Sequence, residues 1–188
     1  MSGGFIVVLA ILAFAAVTIF KGVRIVPQGY KWIVQRLGKY HTTLNPGLNF
    51  VIPYVDEVAY KVTTKDIVLD IPSQEVITRD NAVLLMNAVA YINITTPVNA
   101  VYGIENYTWA IQNLVQTSLR SIVGEMDLDD ALSSRDHIKA KLKAAISDDI
   151  SDWGITLKTV EIQDIQPSST MQAAMEAQAA AERQRRAT

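Results

Sequence analysis

Nucleophilic or acid–base chemistry needs a reactive side chain, a base and a group that orients the base. The chain offers little of this. It has 188 residues, two histidines and no cysteine. His41 stands near a turn and His137 in the first turn of a predicted helix, far apart in sequence, and both read as surface residues. No G-x-S-x-G, H-E-x-x-H, Walker A or G-x-G-x-x-G spacing occurs. Asp127, Asp129 and Asp130 form an acidic cluster without the glycine and spaced final Glu of a calcium loop, so helix capping is the expected role. With no cysteine, disulfides and thiolate metal sites are excluded, which fits a reducing compartment. The expectation is no catalytic residue, no cofactor and no metal. A membrane-tethered hydrolase with an unrecognised site is the rival reading, and turnover abolished by one point change would favour it.

Two groups of residues suit contact instead. Arg135, Lys139 and Lys143 repeat one charge at i, i+4 spacing, and Asp148 and Asp152 repeat the opposite sign near the end of the same helix. Like charges so placed oppose the helix by a few tenths of a kcal/mol, about as much as a favourable pair supports it. A solvated face is the plain explanation; a neighbouring copy that supplies opposite charges is the functional one. The second group is Leu48-Asn49-Phe50-Val51-Ile52-Pro53, an apolar run after a Pro-Gly turn. It reads either as a buried strand or as a loop whose Leu48, Phe50 and Ile52 enter the interfacial layer of a bilayer.

What would place such a loop at a bilayer is Phe5 to Phe20, FIVVLAILAFAAVTIF, uncharged and with Thr18 its one polar side chain. Its Phe, Ile, Val and Leu residues favour insertion by about 3 to 7 kcal/mol. As a helix, Gly3 to Gly22 spans about 30 Å, the thickness of a hydrocarbon core. Phe5, Leu9, Leu12, Phe14 and Phe20 are its expected lipid contacts. A cleaved signal peptide competes, because Ala13-Phe14-Ala15 fits a cleavage pattern; yet no Lys or Arg precedes the run, and it continues past that point. Lys21, Arg24, Lys31, Arg36 and Lys39 follow the span, and only the terminal amine precedes it, so the positive-inside rule puts the remainder in the cytoplasm. Net charge is −2, and no basic field invites nucleic acid.

Beyond the anchor the chain reads as α+β. Residues 23–80 alternate with a period of two at Tyr30-Trp32-Val34, Val58-Tyr60-Val62 and Ile67-Leu69-Ile71, with turns at Gly38, Asn45-Pro46-Gly47, Pro53 and Pro72. Residues 81–166 are mixed. Leu84, Met86, Ala88, Ala90, Ile92 and Ile94 mark a long strand, Thr96-Pro97 a helix start, and Asn106 the cap of a helix that Gly124 stops. Ser134 opens a further helix with Ile138, Leu142, Ile146 and Ile150 inward, and a final strand over 155–166 carries a bulge at Thr159-Val160. From 167 to 188 a capping box, Ser169 and Gln172, leads an alanine-rich helix without a strong apolar stripe. It is either solvated or packed against copies of itself through alanines such as Ala173 and Ala177, and its pattern looks cut short at Thr188.

Three blocks, IVPQGYKWIVQRLGKY, NPGLNFVIPYVD and LDIPSQEVITRDNA, resemble the SPFH or band 7 superfamily of stomatin, prohibitin, flotillin, HflK and HflC. TSLRSIVGEMDLDDALSSRD, DWGITLKTVEIQDIQP and AERQRRAT are similar to its stomatin-like paraslipin branch, and within it to the bacterial QmcA group. The resemblance covers about Val23 to Thr188 and rests on structural motifs. It implies an anchor at 1–22, a β-rich SPFH subdomain at 23–80, an α/β one at 81–166, and the start of a long coiled-coil helix at 167–188. It further implies ring-like or cage-like homo-oligomers that organise membrane microdomains. The implied partners are membrane proteases of the FtsH type and a membrane protein of the NfeD type, at a bacterial inner membrane.

Overall fold

The computed structural model describes residues 3–186. Its first element is helix α1, Gly3–Gly22, none of whose apolar length is buried against the rest of the chain. A helix of a soluble core would be covered, and this one is not. Thr18 satisfies its hydroxyl on the carbonyl of Phe14, one turn back, which keeps the helix surface free of unmet polar groups.

Three antiparallel sheets follow. β1 (Val23–Val26) pairs with β4 (Gly47–Phe50) as a two-stranded ribbon. β2 (Tyr30–Arg36) lies between β3 (Lys39–Leu44) and β5 (Asp56–Thr63). β6 (Ile67–Ile77), β7 (Val83–Ile94) and β8 (Ile155–Pro167) form the third sheet with β7 central. The sequence reading grouped 67–77 with the first β segment; its strand pairing is with β7, whose apolar face it shares. Between β7 and β8 run α2 (Pro97–Tyr102), α3 (Tyr107–Gly124), α4 (Leu128–Ser133) and α5 (Arg135–Ser151), and α6 (Ser169–Arg186) comes last. The fold is thus mixed α+β with an N-terminal apolar helix.

The alternation in β7 puts Leu84, Met86, Ala88, Ala90, Ile92 and Ile94 in the main core, as expected. Against them pack Ile111, Val115 and Leu119 of α3 and Ile138, Leu142, Ile146 and Ile150 of α5, all of them inaccessible to solvent. Leu119 completes the α3 stripe. β2 is buried on both faces. Ile33 joins the main core, and Val34 joins a smaller one with Val26, Leu44 and Val51 beneath the β1–β4 ribbon.

Several local expectations shift by a residue or change agent. Asn106 does cap α3, its side chain accepting from the Trp109 amide at 3.0 Å. Thr96 is the α2 cap residue but makes no side-chain cap bond. α3 runs through Gly124, which has no positive φ, into a cap at Glu125. The cap of α6 is Ser168, whose side chain accepts from the Met171 amide, so the box at Ser169 and Gln172 does not form. In β8 the register slips at Lys158 and at Gln163, flanking the expected bulge at Thr159-Val160.

Asp127 precedes α4 without capping it by its side chain. Arg79 takes its carboxylate through two guanidinium nitrogens. Asp80 accepts from the Leu128 amide at 3.2 Å and from Thr78 Oγ1 at 2.5 Å. The Thr78 hydroxyl is the main reason the Asp80 carboxyl is held below its ordinary range. The turn between β6 and β7 therefore caps a helix some fifty residues further along.

Candidate membrane-facing surface

In the β1–β4 ribbon Val23 stands opposite Phe50 and Ile25 opposite Leu48. With a side-chain period of two, these four residues share one face. Ile25, Leu48 and Phe50 are 70%, 63% and 70% exposed, whereas Val26, on the reverse face, is 2% exposed. The apolar run at 48–53 therefore divides. Val51 turns inward, and Leu48, Phe50 and Ile52 turn outward. A buried strand accounts only for Val51.

The ribbon starts where α1 ends. Phe20, at the last turn of α1, is exposed, and so is Tyr54 in the loop after β4. Phe5, Leu9, Leu12 and Phe14 are likewise uncovered along α1. An apolar helix long enough to cross a bilayer is thus followed directly by a sheet face with uncovered apolar side chains, more exposed apolar surface than monomeric soluble proteins usually carry. Ile25 belongs to it and was missed in the sequence. Only its pairing with Leu48, twenty-three residues away, puts it there.

Hydrogen bonds hold the loop that follows β4. The Val51 amide donates to the Gly22 carbonyl at 2.8 Å, and the Ile52 amide to Asp56 Oδ2 at 2.9 Å. Arg36 binds Asp56 in a fork, Nε to Oδ1 at 2.6 Å and Nη2 to Oδ2 at 3.0 Å, across the β2–β5 register. The Asp56 side chain is 3% exposed. The Arg36 guanidinium, opposed in part by burial and aided by the Ile52 amide, lowers its pKa from 3.8 to about 2. Because the folded value lies below the unfolded one, the pair contributes stability above about pH 4 that is lost as pH falls towards about 2. Thermal melting across that range should show native protein more stable than Asp56→Asn at pH 5 and the two converging by about pH 2. Parallel curves would remove this pair as the cause.

The charged row on α5 is only partly open. Lys139 pairs with Glu161 on β8, and with Thr159 it holds the Glu161 carboxyl below its ordinary range. The sequence left Lys139 either on a solvated face or to a neighbouring copy; the structure gives it a partner in its own chain. Arg135 and Lys143, and Asp148 and Asp152, are exposed and form no ion pair among the described residues. Ala173 and Ala177 are exposed on α6, whose Met171 packs against the main core. No group of three or more His, Cys, Asp or Glu placed to hold a metal occurs among the described residues.

The model of the SPFH domain / Band 7 family matches residues 24–188. The chain belongs to that family. Its relatives include an uncharacterized protein of Methanothermobacter thermautotrophicus, 39% identical over 97% of this chain and 56% of the relative. An uncharacterized protein of Mycobacterium tuberculosis is 36% identical over 98% of this chain and 48% of its own length. The human mitochondrial stomatin-like protein 2 is 38% identical over 87% of this chain and 46% of its own. The chain spans about half the length of the curated relatives it matches. Stomatin-like relatives and the uncovered apolar helix together point to membrane association of this SPFH protein.

Proposed function

We propose that this SPFH protein is a single-pass membrane scaffold without catalytic activity, working by geometry. α1 crosses the bilayer, the β1–β4 face lies on the headgroup layer, and copies packed side by side mark out a membrane patch. In this reading residues 23–80 and 81–166 act as two SPFH subdomains, with β6 reaching across from one to the other, and α6 begins a longer coiled coil. The body faces the cytoplasm of a bacterial inner membrane, following the cations after α1. Rings or cages of the chain associate with FtsH-type proteases and an NfeD-type membrane protein. The observation that carries the proposal is the exposed apolar length of α1, followed directly by a ribbon that leaves Ile25, Leu48 and Phe50 uncovered on one face.

The chain has no cysteine, so one introduced thiol reports one position. In reconstituted protein, a polarity-sensitive fluorophore on Phe50→Cys should be quenched by lipids brominated near the headgroup. The same fluorophore on Trp109→Cys, exposed on α3, should not. Equal quenching at both sites, or at neither, would sink the proposal that this face meets lipid. An adaptor that holds one protease without forming a ring is the second reading. The exposed length of α6 beyond Met171 favours the scaffold over it, and particle mass in mild detergent separates the two.

A further inference from the structure

Lys21 is the basic residue in the last turn of α1, and Arg24 is the second residue of β1. Both are exposed, and neither forms an ion pair among the described residues. They line a single open cleft of about 550 Å³ together with Phe20, Tyr54 and Asp56. Asp56 does not turn this cleft against anions. Arg36 occupies both of its oxygens, and Oδ2 also accepts the Ile52 amide. The two free cations therefore set its charge.

The cleft is also held in shape. Tyr54 sits at φ 72°, a left-handed conformation unusual for a bulky residue, with Lys21 Nζ 5.5 Å from its ring centroid. The bond from Val51 to Gly22 closes the loop onto the helix end, where a Cβ on Gly22 would stand 2.8 Å from the Val51 carbonyl oxygen. Phe20 is 81% and Tyr54 68% exposed, so apolar side chains flank the two charges.

We propose that this cleft binds the phosphodiester headgroup of an anionic phospholipid, with Lys21 and Arg24 on the phosphate and Phe20 and Tyr54 along the upper acyl chains. A free phosphate shares the charge chemistry but has no use for the apolar flank, and it does not concentrate at the end of a membrane helix. The assignment rests on α1 lying in a bilayer as read above. It adds a discrete site to that reading, selective among lipids.

The test reconstitutes the full chain in phosphatidylcholine vesicles holding a minority of phosphatidylglycerol. Spin-labelled versions of each lipid report how much is immobilised on the protein. Each surface cation near a membrane is worth about fivefold in anionic-lipid affinity, so phosphatidylglycerol should be retained over phosphatidylcholine by roughly five- to twentyfold. Lys21→Gln with Arg24→Gln should bring that ratio to about one. Lys21→Arg should keep it, and Lys39→Gln with Lys141→Gln, which removes two exposed charges elsewhere, should leave it unchanged. Protein that fails to float with the vesicles would overturn the bilayer reading itself. Protein that floats without lipid preference, or keeps its preference in the double variant, would overturn the cleft alone. Release of the labelled lipid by millimolar inorganic phosphate would overturn the lipid assignment. Thermal melting of the double variant at the native temperature keeps a loss of preference from being a loss of fold.

Discussion

Removing residues 172–188 is expected to reduce a large detergent-extracted assembly to single chains or pairs while leaving the body folded. The cut is placed after Met171 because the body uses what precedes it. Ser168 donates its amide to Val83, its side chain caps α6, and Met171 packs on the main core. Beyond Met171 every described side chain of α6 is exposed. A helix of that length with no packed face is marginal in water, so its order in the full protein calls for a neighbour. Ala173 and Ala177 lie one turn apart and allow close approach. A contact repeated head to tail closes into a ring if the rotation permits. Light scattering of the intact and shortened proteins reads the outcome. Unchanged mass would move the contact to the SPFH body, and an intact protein that is already monomeric would end the scaffold reading. Arg135, Lys143, Asp148 and Asp152 remain available for a second, salt-sensitive contribution, worth at most about 1 kcal/mol per exposed pair.

The second large effect is expected at Gly154. Its φ is +67°, and a Cβ there would stand 2.5 Å from the Thr96 carbonyl oxygen, 2.7 Å from Thr96 Cβ and 3.0 Å from Asn99 Cβ. Its own carbonyl accepts both the Thr95 and Thr96 amides, each at 2.9 Å, fixing the end of α5 to the corner between β7 and α2. Gly154→Ala therefore combines a disfavoured backbone conformation with an overpacked contact against main chain, and should cost about 2 to 4 kcal/mol. For a chain of this size that lowers the melting temperature by about 5 to 15 °C. Gly38→Ala is the control, since Gly38 has φ +80° but nothing within 4 Å of the added carbon. It should show the conformational cost alone, about 1 to 2 kcal/mol. Equal losses at both positions would mean that the corner yields and the contact is not a constraint.

The parts of the fold that follow from local periodicity were readable. α1 is apolar all round, β7 alternates over its full length, and α5 repeats Ile138, Leu142, Ile146 and Ile150 every four residues. What was not readable depends on distant partners. β6 alternates equally well for either sheet, and only its pairing with β7 decides between them. Lys139 looked unpaired because spacing along a helix cannot see Glu161, which arrives on another strand. The acidic cluster at 127–130 was expected to cap a helix; Asp127 does stand at the start of α4, but the side chain that accepts from its first amide is Asp80, from a remote turn. Asn93 and Asn106, which head two N-x-T triplets, are spent on the fold. Asn93 ties β7 to Thr64 and Asp66, and Asn106 caps α3. In the exposed apolar patch beside α1, Leu48, Phe50 and Ile52 stood out by composition. Ile25 did not, since one isoleucine before a valine carries no sign of which way it points.

The junction at Gly22 bears on how the protein would respond to its surroundings. β1 begins at the next residue, the Gly22 carbonyl is bonded to Val51, and there is no room for a side chain between them. No slack linker separates helix from body. A transmembrane helix answers a thinner bilayer by tilting, and here the tilt cannot be absorbed at a swivel. It is passed as a rotation to the ribbon and to the sheet beneath it. In the proposed array of copies, such rotations would add up to a change of curvature, and local bilayer thickness would act as a mechanical input to its shape.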